Sequence, residues 1–106
     1  MRVLFDQGTP VPLRRVLVDH SVRTAYEMGW ATLKNGEFLS AAESAGFDAL
    51  VTTDQSVRHQ QSLAGRRLGV LVLLTTDWSK IRPHAAKVTA ALSALRPGEF
   101  VDVSFE

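Results

Sequence analysis

The sequence predicts a three-layer α/β/α fold with a mostly parallel central sheet. Short apolar runs alternate along the chain with segments of helical spacing, which is typical of this class. The run "GVLVLLTT" is apolar on both faces, as expected for a strand covered by helices on two sides. Residues 55–68, which precede it, are enough for a helical crossover between parallel neighbours. With 106 residues, 45% hydrophobic and 22% charged, the chain is expected to form one packed domain, residues 1–106.

The first quarter of the chain predicts two strands with a helix between them. "RVLF" is a short apolar run and predicts a buried strand over residues 2–6. A helix is expected to follow, with Thr9 as its N-cap, two prolines in its first turn, and an end near residue 19. "SVRTA" predicts a weak second strand, and "YEMGW" predicts a helical turn that Gly29 ends.

The rest of the chain predicts three more strands and three helices. The clearest helix has Asn35 as its cap, Glu37 in its first turn and Gly46 at its end. "FDALVTT" predicts a strand, and a crossover helix then leads to the central strand "GVLVLLTT". The last long helix is expected to begin at the cap Ser79, and "EFVDVSF" predicts a terminal edge strand.

Charge is distributed unevenly, although the net charge is only +1. Residues 55–98 hold seven Lys or Arg against the single acid Asp77, whereas residues 1–54 hold five against seven acids. This split favours a basic surface beside an acidic cleft, as suits a nucleic-acid ligand; solvated helix faces are the alternative. No apolar stretch is long enough to span a membrane and the first strand begins at residue 2, so a cytoplasmic protein is expected.

Three apolar runs end in aspartate, and two of these ends share a motif. Asp6 follows the first run, while Asp54 and Asp77 stand in "VTTDQS" and "LTTDWS". If the strands are parallel neighbours, these carboxylates reach one rim, where oxygen ligands suit Mg²⁺ or Mn²⁺. Such an ion could activate water against a phosphodiester. The alternative is that each aspartate only forms a turn or caps a helix.

Two blocks resemble a known family. "MRVLFDQGTPVPLRRVL" and "AAESAGFDALVTTDQS" resemble the opening and middle blocks of bacterial PIN-like families of uncharacterised name, which usually read "FDENLP" and "LVTRDKDF". The similarity covers roughly residues 1–75, and it matches Asp6 to the first acidic position and Asp54 to the later one. It implies a PIN-like domain similar to the nuclease toxins of toxin–antitoxin pairs, which cut RNA with an acidic quartet and a divalent metal. It also implies a small antitoxin-like protein encoded nearby as a partner.

The chain departs from the family pattern at three positions. Gln7 replaces an acid after "FD", Asn35 replaces an acid at the start of the middle helix, and Ser56 replaces the second aspartate of "DKD". Glu37 is then the nearest remaining carboxylate to the middle-helix position. Fewer carboxylates are expected to lower the affinity for a metal ion.

Three hypotheses follow. The first is a metal-dependent ribonuclease of the toxin type, in which Asp6 and Asp54 hold Mg²⁺ or Mn²⁺. The second is a catalytically degenerate PIN-like domain that binds RNA or a protein partner without cleavage, and the third is a small-molecule binder that uses the same rim. The terminal strand and the "VLVLL" strand also suggest a homodimer formed by edge pairing. For the first hypothesis, the residues expected in catalysis are Asp6, Glu37, Asp54 and Asp77, and those expected to contact RNA are Arg58, Arg66 and Arg67.

Overall fold

The computed structural model describes the backbone of all 106 residues and every side chain except that of Asn35. It contains five strands: β1 Arg2–Phe5, β2 Ser21–Thr24, β3 Ala49–Thr52, β4 Gly69–Leu73 and β5 Phe100–Val103. They form one sheet in the order β2-β1-β3-β4-β5, and each neighbouring pair is parallel. The predicted parallel α/β sheet is therefore confirmed.

Helical segments cover both faces of this sheet. The α-helices are α1 Asn35–Ser44, α2 Val57–Gln60, α3 Trp78–Ile81 and α4 Ala85–Ala94, and two 3₁₀ helices span Val11–Arg15 and Arg82–His84. The first 3₁₀ helix, α3 and α4 pack on one face, whereas α1 and α2 pack on the other. The predicted three-layer α/β/α architecture is confirmed.

Alternation along the strands divides the core into two parts. In β1, Val3 and Phe5 belong to the cluster under α4, while Leu4 belongs to the cluster under α1. Because both sets are fully buried, β1 has no solvent-facing side after Arg2. Burying each large apolar side chain of this kind contributes roughly 1.5–3 kcal/mol to folding.

The helix expected after β1 is a short 3₁₀ helix, not an α-helix that runs to residue 19. The N–H groups of Leu13, Val16 and Leu17 bond to carbonyl oxygens three residues back, as in a 3₁₀ helix, so the segment does not continue as an α-helix. Thr9 does not cap this helix. Its side chain is buried, and its hydroxyl instead donates a hydrogen bond of 2.9 Å to the carbonyl oxygen of Val51.

Two other helices also differ from expectation. The crossover between β3 and β4 contains only the single turn α2. The last helix is interrupted at Pro83, which has no N–H to donate, so a 3₁₀ turn separates α3 from α4. The N-cap of α3 is Asp77 rather than the expected Ser79.

The middle helix α1 forms close to its predicted position. Lys34 occupies the N-cap position, and the predicted capping by the Asn35 side chain lies outside the described part of the chain. Glu37 lies in the first turn as expected. Gly46 follows the helix with a φ of 83°, a left-handed conformation that favours glycine, so the predicted end is confirmed.

The edges of the sheet are β2 and β5. The prediction that "EFVDVSF" forms an edge strand is confirmed. The suggestion that the "VLVLL" strand pairs at an edge is wrong, because β4 lies between β3 and β5. Among the helices the structure describes, none is both long and apolar enough to cross a membrane.

Candidate functional site

The candidate site lies where β1 and β3 are neighbours. The chain places β2 on one side of β1 and then β3 on the other, so the strand order reverses at this point. In open parallel sheets, ligands bind beyond the carboxyl ends of the strands at such a reversal. Asp6 directly follows β1, and Asp54 comes two residues after the end of β3. Topology therefore brings both predicted metal-binding aspartates to the switch point.

Asp6 is held rigidly beside the end of β3. Its backbone N–H donates to the carbonyl oxygen of Val51 at 3.0 Å, which extends the ladder between β1 and β3 by one residue. Its carboxylate accepts a hydrogen bond of 2.9 Å from the Thr52 hydroxyl and one of 2.8 Å from the backbone N–H of Gln7. Each carboxylate oxygen thus has one fixed partner and a further lone pair for a ligand.

Thr52 connects the two aspartates. While its hydroxyl donates to Asp6, the same oxygen accepts a hydrogen bond of 3.1 Å from the backbone N–H of Asp54. The Thr52 side chain is only 1% exposed. Because a buried hydroxyl needs partners, this arrangement fixes its rotamer and couples the positions of both acids.

Asp54 is oriented by the turn that follows β3. Its Oδ1 atom accepts hydrogen bonds from the Ser56 backbone N–H at 3.0 Å and from the Ser56 hydroxyl at 2.6 Å. The Asp54 side chain is exposed to solvent. The turn therefore fixes one carboxylate oxygen and presents the group to the cleft.

Gly8 allows the loops after β1 and β3 to approach each other. A Cβ atom at this position would clash with the Thr53 hydroxyl oxygen, so a side chain there would require the Thr53 side chain to rotate or the two loops to separate slightly. The glycine in "DQGTP" therefore serves the close approach of the two aspartate loops.

Two clefts place both aspartates on one wall. The larger, of about 270 Å³, is lined by Asp6 and Asp54 together with Lys34, Trp30 and other residues. A smaller recess of about 50 Å³ also includes both aspartates and continues towards α2. Lys34 supplies a cation beside the acid pair, a position suited to a phosphate group. Trp30 packs edge-on against Phe47 with ring centroids 6.1 Å apart, so its main role is in packing.

A third cleft, of about 520 Å³, opens on the other side of Asp6. Its walls include Arg14 and Glu27, which form a two-pronged ion pair. Glu27 also accepts a hydrogen bond from the backbone N–H of Thr24, whose hydroxyl accepts one from the N–H of Glu27. This reciprocal pair has the pattern of a capping box. The hydrogen bond from Arg14, together with the Thr24 N–H, holds the pKa of Glu27 below its ordinary value.

Glu37 and Asp77 do not join the acid pair in these clefts. Neither residue lines any of the three clefts to which Asp6 contributes. Asp77 follows β4, which β3 separates from β1, and it caps α3 by accepting from Ser79. The hydroxyl and the backbone N–H of Ser79 hold the pKa of Asp77 below its ordinary value. Across the side chains that the structure describes, no three acidic or histidine groups come together as a metal site.

Two of the three predicted RNA-contacting arginines lie at the wrong end of the sheet. Arg66 pairs with Glu43 at 3.2 Å, and the backbone N–H of Arg67 donates to Glu43 at 3.0 Å. Both arginines precede β4, and Glu43 lies at the carboxyl end of α1, so this cluster belongs to the amino ends of the strands. The N–H of Arg67 is the main reason that the pKa of Glu43 is lowered.

Arg58 lies nearer the carboxyl ends of the strands, but it is already paired. Its guanidinium binds Asp102 of β5 at 2.6 Å and lies over the Phe100 ring at 5.9 Å. A phosphate would have to compete with this ion pair. The cations that line the clefts around Asp6 are instead Lys34 and Arg14.

Sequence reasoning missed the residues that support the acids. Threonine is an ordinary strand residue, which conceals the role of Thr52, although strand alternation places it on the same buried face as Leu50. A hydroxyl at a core position was the signal that it has a polar partner. The motif "TAYE" likewise fits the T-x-x-E pattern of a capping box.

Comparison with known proteins gives no relative for this chain. No family model, no curated protein and no solved structure matches it.

Proposed function

We propose that this protein is a PIN-like, divalent-metal-dependent ribonuclease of the toxin type. The observation that supports this most is the pairing of Asp6 and Asp54 on the walls of the same two clefts at the switch point. The resemblance of "MRVLFDQGTP" and "LVTTDQS" to PIN-like sequences gives the pair its proposed chemistry. A fold by itself assigns no reaction, so the proposal depends on the site.

The donor set fits Mg²⁺ or Mn²⁺. These ions bind oxygen ligands and typically take one or two carboxylates, with water and substrate phosphate completing the coordination. Both oxygens of Asp6 already accept one hydrogen bond each, and so each retains a lone pair. In Asp54, Oδ1 accepts both of the hydrogen bonds that the described residues donate to the carboxylate. The other oxygen, Oδ2, accepts none from them and is available to a metal ion. Asp6 and Asp54 would hold the ion.

When bound, the ion would supply positive charge to a phosphodiester and make a water molecule more acidic. The protein's own groups would perform the remaining tasks. Thr52 fixes both acids, and Lys34 lies where it can contact a phosphate oxygen.

The first test is calorimetric titration of Mn²⁺ into the protein and into Asp6→Asn, Asp54→Asn and Asp77→Asn variants. We expect saturable binding that is lost in the first two variants and retained in the third, which changes an exposed capping aspartate outside the clefts. Circular dichroism would check that each variant is folded. Absence of Mn²⁺ binding at millimolar concentration by the folded protein would contradict the proposal.

Activity is the second test. The protein should cleave single-stranded RNA in the presence of Mn²⁺, and EDTA should stop the reaction. Asp6→Asn should be inactive and folded, which excludes a contaminating nuclease as the source of cleavage. Binding of Mn²⁺ without cleavage of any RNA would contradict the enzymatic part of the proposal.

A second candidate function is RNA binding without cleavage. The observation that favours it is that only two acids meet in the described site, while Gln7 and Ser56 are neutral. A degenerate PIN-like domain of this kind should bind RNA equally well with and without EDTA. Measuring RNA binding and RNA cleavage with and without EDTA therefore separates the two functions.

The partner protein forms part of the first proposal. A toxin-type nuclease requires a small protein, encoded nearby, that neutralises it. Expression of the chain alone should slow bacterial growth, and co-expression of the neighbouring small protein should restore it. Growth that is unaffected by expression of the folded protein would contradict the toxin assignment, although not the nuclease activity.

A further inference from the structure

The cleft of about 520 Å³ beside Asp6 has the dimensions of a small-molecule site. It shares Asp6 and Gln7 with the cleft of about 270 Å³ that also contains Asp54. A ligand whose phosphate lies near the two aspartates would therefore extend directly into this larger cleft.

The mouth of this cleft carries an exposed aromatic ring. Tyr26 is 81% exposed and Val11 is 55% exposed, and both residues line the cleft. Large apolar side chains are usually at least partly covered, and an aromatic ring on a concave surface is suited to stacking on a planar group. Tyr26 is therefore the most suitable platform in this part of the molecule.

The backbone around Tyr26 is fixed before any ligand binds. On one side, the N–H of Ala25 donates to the carbonyl oxygen of Phe5 at 2.8 Å, and Ala25 is buried. On the other side, Glu27 is held by the capping box with Thr24 and by the ion pair with Arg14. The backbone that carries Tyr26 therefore needs little reordering when the ring stacks on a ligand.

The polar wall opposite the ring can complete its hydrogen bonding with a ligand. Arg14 Nε is buried and has no acceptor among the residues that the structure describes. The Arg14 side chain is 34% exposed, so its guanidinium can also donate to a ligand atom placed in the cleft. The wall therefore offers donors from Arg14 and acceptor oxygens from Glu27 beside an aromatic platform, a combination that matches the edge and face of a nucleobase.

We propose that this cleft is a nucleobase subsite, in which a base of single-stranded RNA next to the scissile phosphodiester stacks on Tyr26. The proposal rests on the RNA-directed function proposed above. Because stacking accepts every base, the subsite would favour single-stranded over duplex RNA with little preference for sequence.

The test is calorimetric titration in EDTA with adenosine 5′-monophosphate, with ribose 5-phosphate as a ligand that lacks the base, and with a tetra-adenylate RNA. We expect the mononucleotide to bind at least about tenfold more tightly than the sugar phosphate, and the RNA to bind more tightly than the mononucleotide. Equal binding of mononucleotide and sugar phosphate would overturn the subsite. Tighter binding of the mononucleotide than of the RNA would overturn its assignment to RNA.

Substitutions at Tyr26 test whether the mononucleotide binds in this cleft. Tyr26→Ala should weaken mononucleotide binding about tenfold, whereas Tyr26→Phe should retain it because the ring remains. Val18→Ala is the matched control, because Val18 is also 81% exposed but does not line the cleft. Wild-type affinity in Tyr26→Ala would overturn the proposal. Dimerisation that is lost in Tyr26→Ala, without any nucleotide binding, would assign the surface to self-association and also overturn it.

Because the titration in EDTA contains no free metal ion, it tests the nucleobase subsite independently of the proposed nuclease function. Tyr26-dependent nucleotide binding by a protein that fails to bind Mn²⁺ would keep the subsite and remove the nuclease function. Cleavage of RNA by a protein whose nucleotide binding does not depend on Tyr26 would keep the function and remove the subsite.

Discussion

The turns "TTDQS" after β3 and "TTDWS" after β4 have nearly the same sequence and nearly the same local structure. In both, the first threonine hydroxyl accepts from the aspartate N–H at 3.1 Å. In both, the aspartate accepts from the serine hydroxyl at 2.6 Å and from the serine N–H, at 3.0 Å after β3 and 2.9 Å after β4. The repeated motif therefore encodes one turn that is used twice.

The surroundings of the two turns differ. Thr52 is buried and donates to Asp6, whereas Thr75 is partly exposed. Asp54 precedes the N-cap of α2 and lines two clefts with Asp6, while Asp77 is itself the N-cap of α3. The comparison teaches that local sequence determines the turn, and that the neighbouring strand determines whether its aspartate belongs to a site.

The largest expected difference between the turns is in catalysis. Under the ribonuclease function proposed above, Asp54→Asn should lower the rate of Mn²⁺-dependent RNA cleavage by about 100-fold or more, because one of the two proposed ligands of the ion is lost. Asp77→Asn should change the rate by less than about twofold, because the residue lies outside the clefts. Initial rates on a labelled single-stranded RNA would measure both. A similar loss in the two variants would show that the turn after β4 also belongs to the site.

The threonines should differ in their contribution to stability. Thr52→Val leaves the Asp6 carboxylate and the Asp54 N–H without their buried partner, at a cost of roughly 1–3 kcal/mol. Thr75→Val removes a single hydrogen bond, which is more exposed than those of Thr52, and should lower the free energy of unfolding by less than about 1 kcal/mol. Guanidinium unfolding followed by circular dichroism would give both values. Equal losses would contradict the linking role assigned to Thr52.

The hydrogen bonds from Ser79 should control the titration of Asp77. The hydroxyl is the main cause of the lowered pKa, so Ser79→Ala should raise the pKa of Asp77 towards its ordinary value. The carboxyl carbon shift of Asp77, followed by NMR between pH 2 and about 6, covers the ordinary aspartate pKa of about 3.9. An unchanged titration curve would contradict the assignment.

The smallest effect concerns stability at acid pH. Because the pKa of Asp77 is lower in the folded than in the unfolded protein, its contribution is present above the unfolded pKa and is lost as pH falls through the folded pKa. Wild type should therefore exceed Asp77→Asn slightly in unfolding midpoint at pH 6, and the two should converge at acid pH. Solvent screening keeps the difference small. A difference that grows on acidification would contradict this sign.

Strand prediction succeeded because apolar runs bounded by Asp and Gly have few other interpretations in a short chain. Each of the five strands was expected near its observed position, including the weak strand β2. Helix prediction was less accurate where proline occurs. Pro83 removes a donor that a continuous helix over residues 78–94 would need, whereas Pro12 lies in the first turn, where its missing N–H costs no intrahelical bond.

The site was only partly predictable. Aspartate at a strand end singles out Asp6, Asp54 and Asp77 alike, but the structure brings only Asp6 and Asp54 of these three into the same clefts, because strand order is not visible in a local motif. Thr52 and Lys34 were missed for a related reason. Their proximity to the acids depends on the packing of residues far apart in sequence, which periodicity does not report.

The interior position of β1, between β2 and β3, also has a consequence for how the chain folds. Residues 6–20 separate β1 from its neighbour β2 along the chain, and residues 6–48 separate it from its neighbour β3. Every pairing in the sheet is parallel. Parallel pairings between distant segments form slowly, because loop-closure entropy must be overcome before contacts are gained. The hydrogen bond between Thr52 and Asp6 forms only when β1 and β3 meet, so under the proposed function recovery of Mn²⁺ binding during refolding should follow the pairing of these two strands.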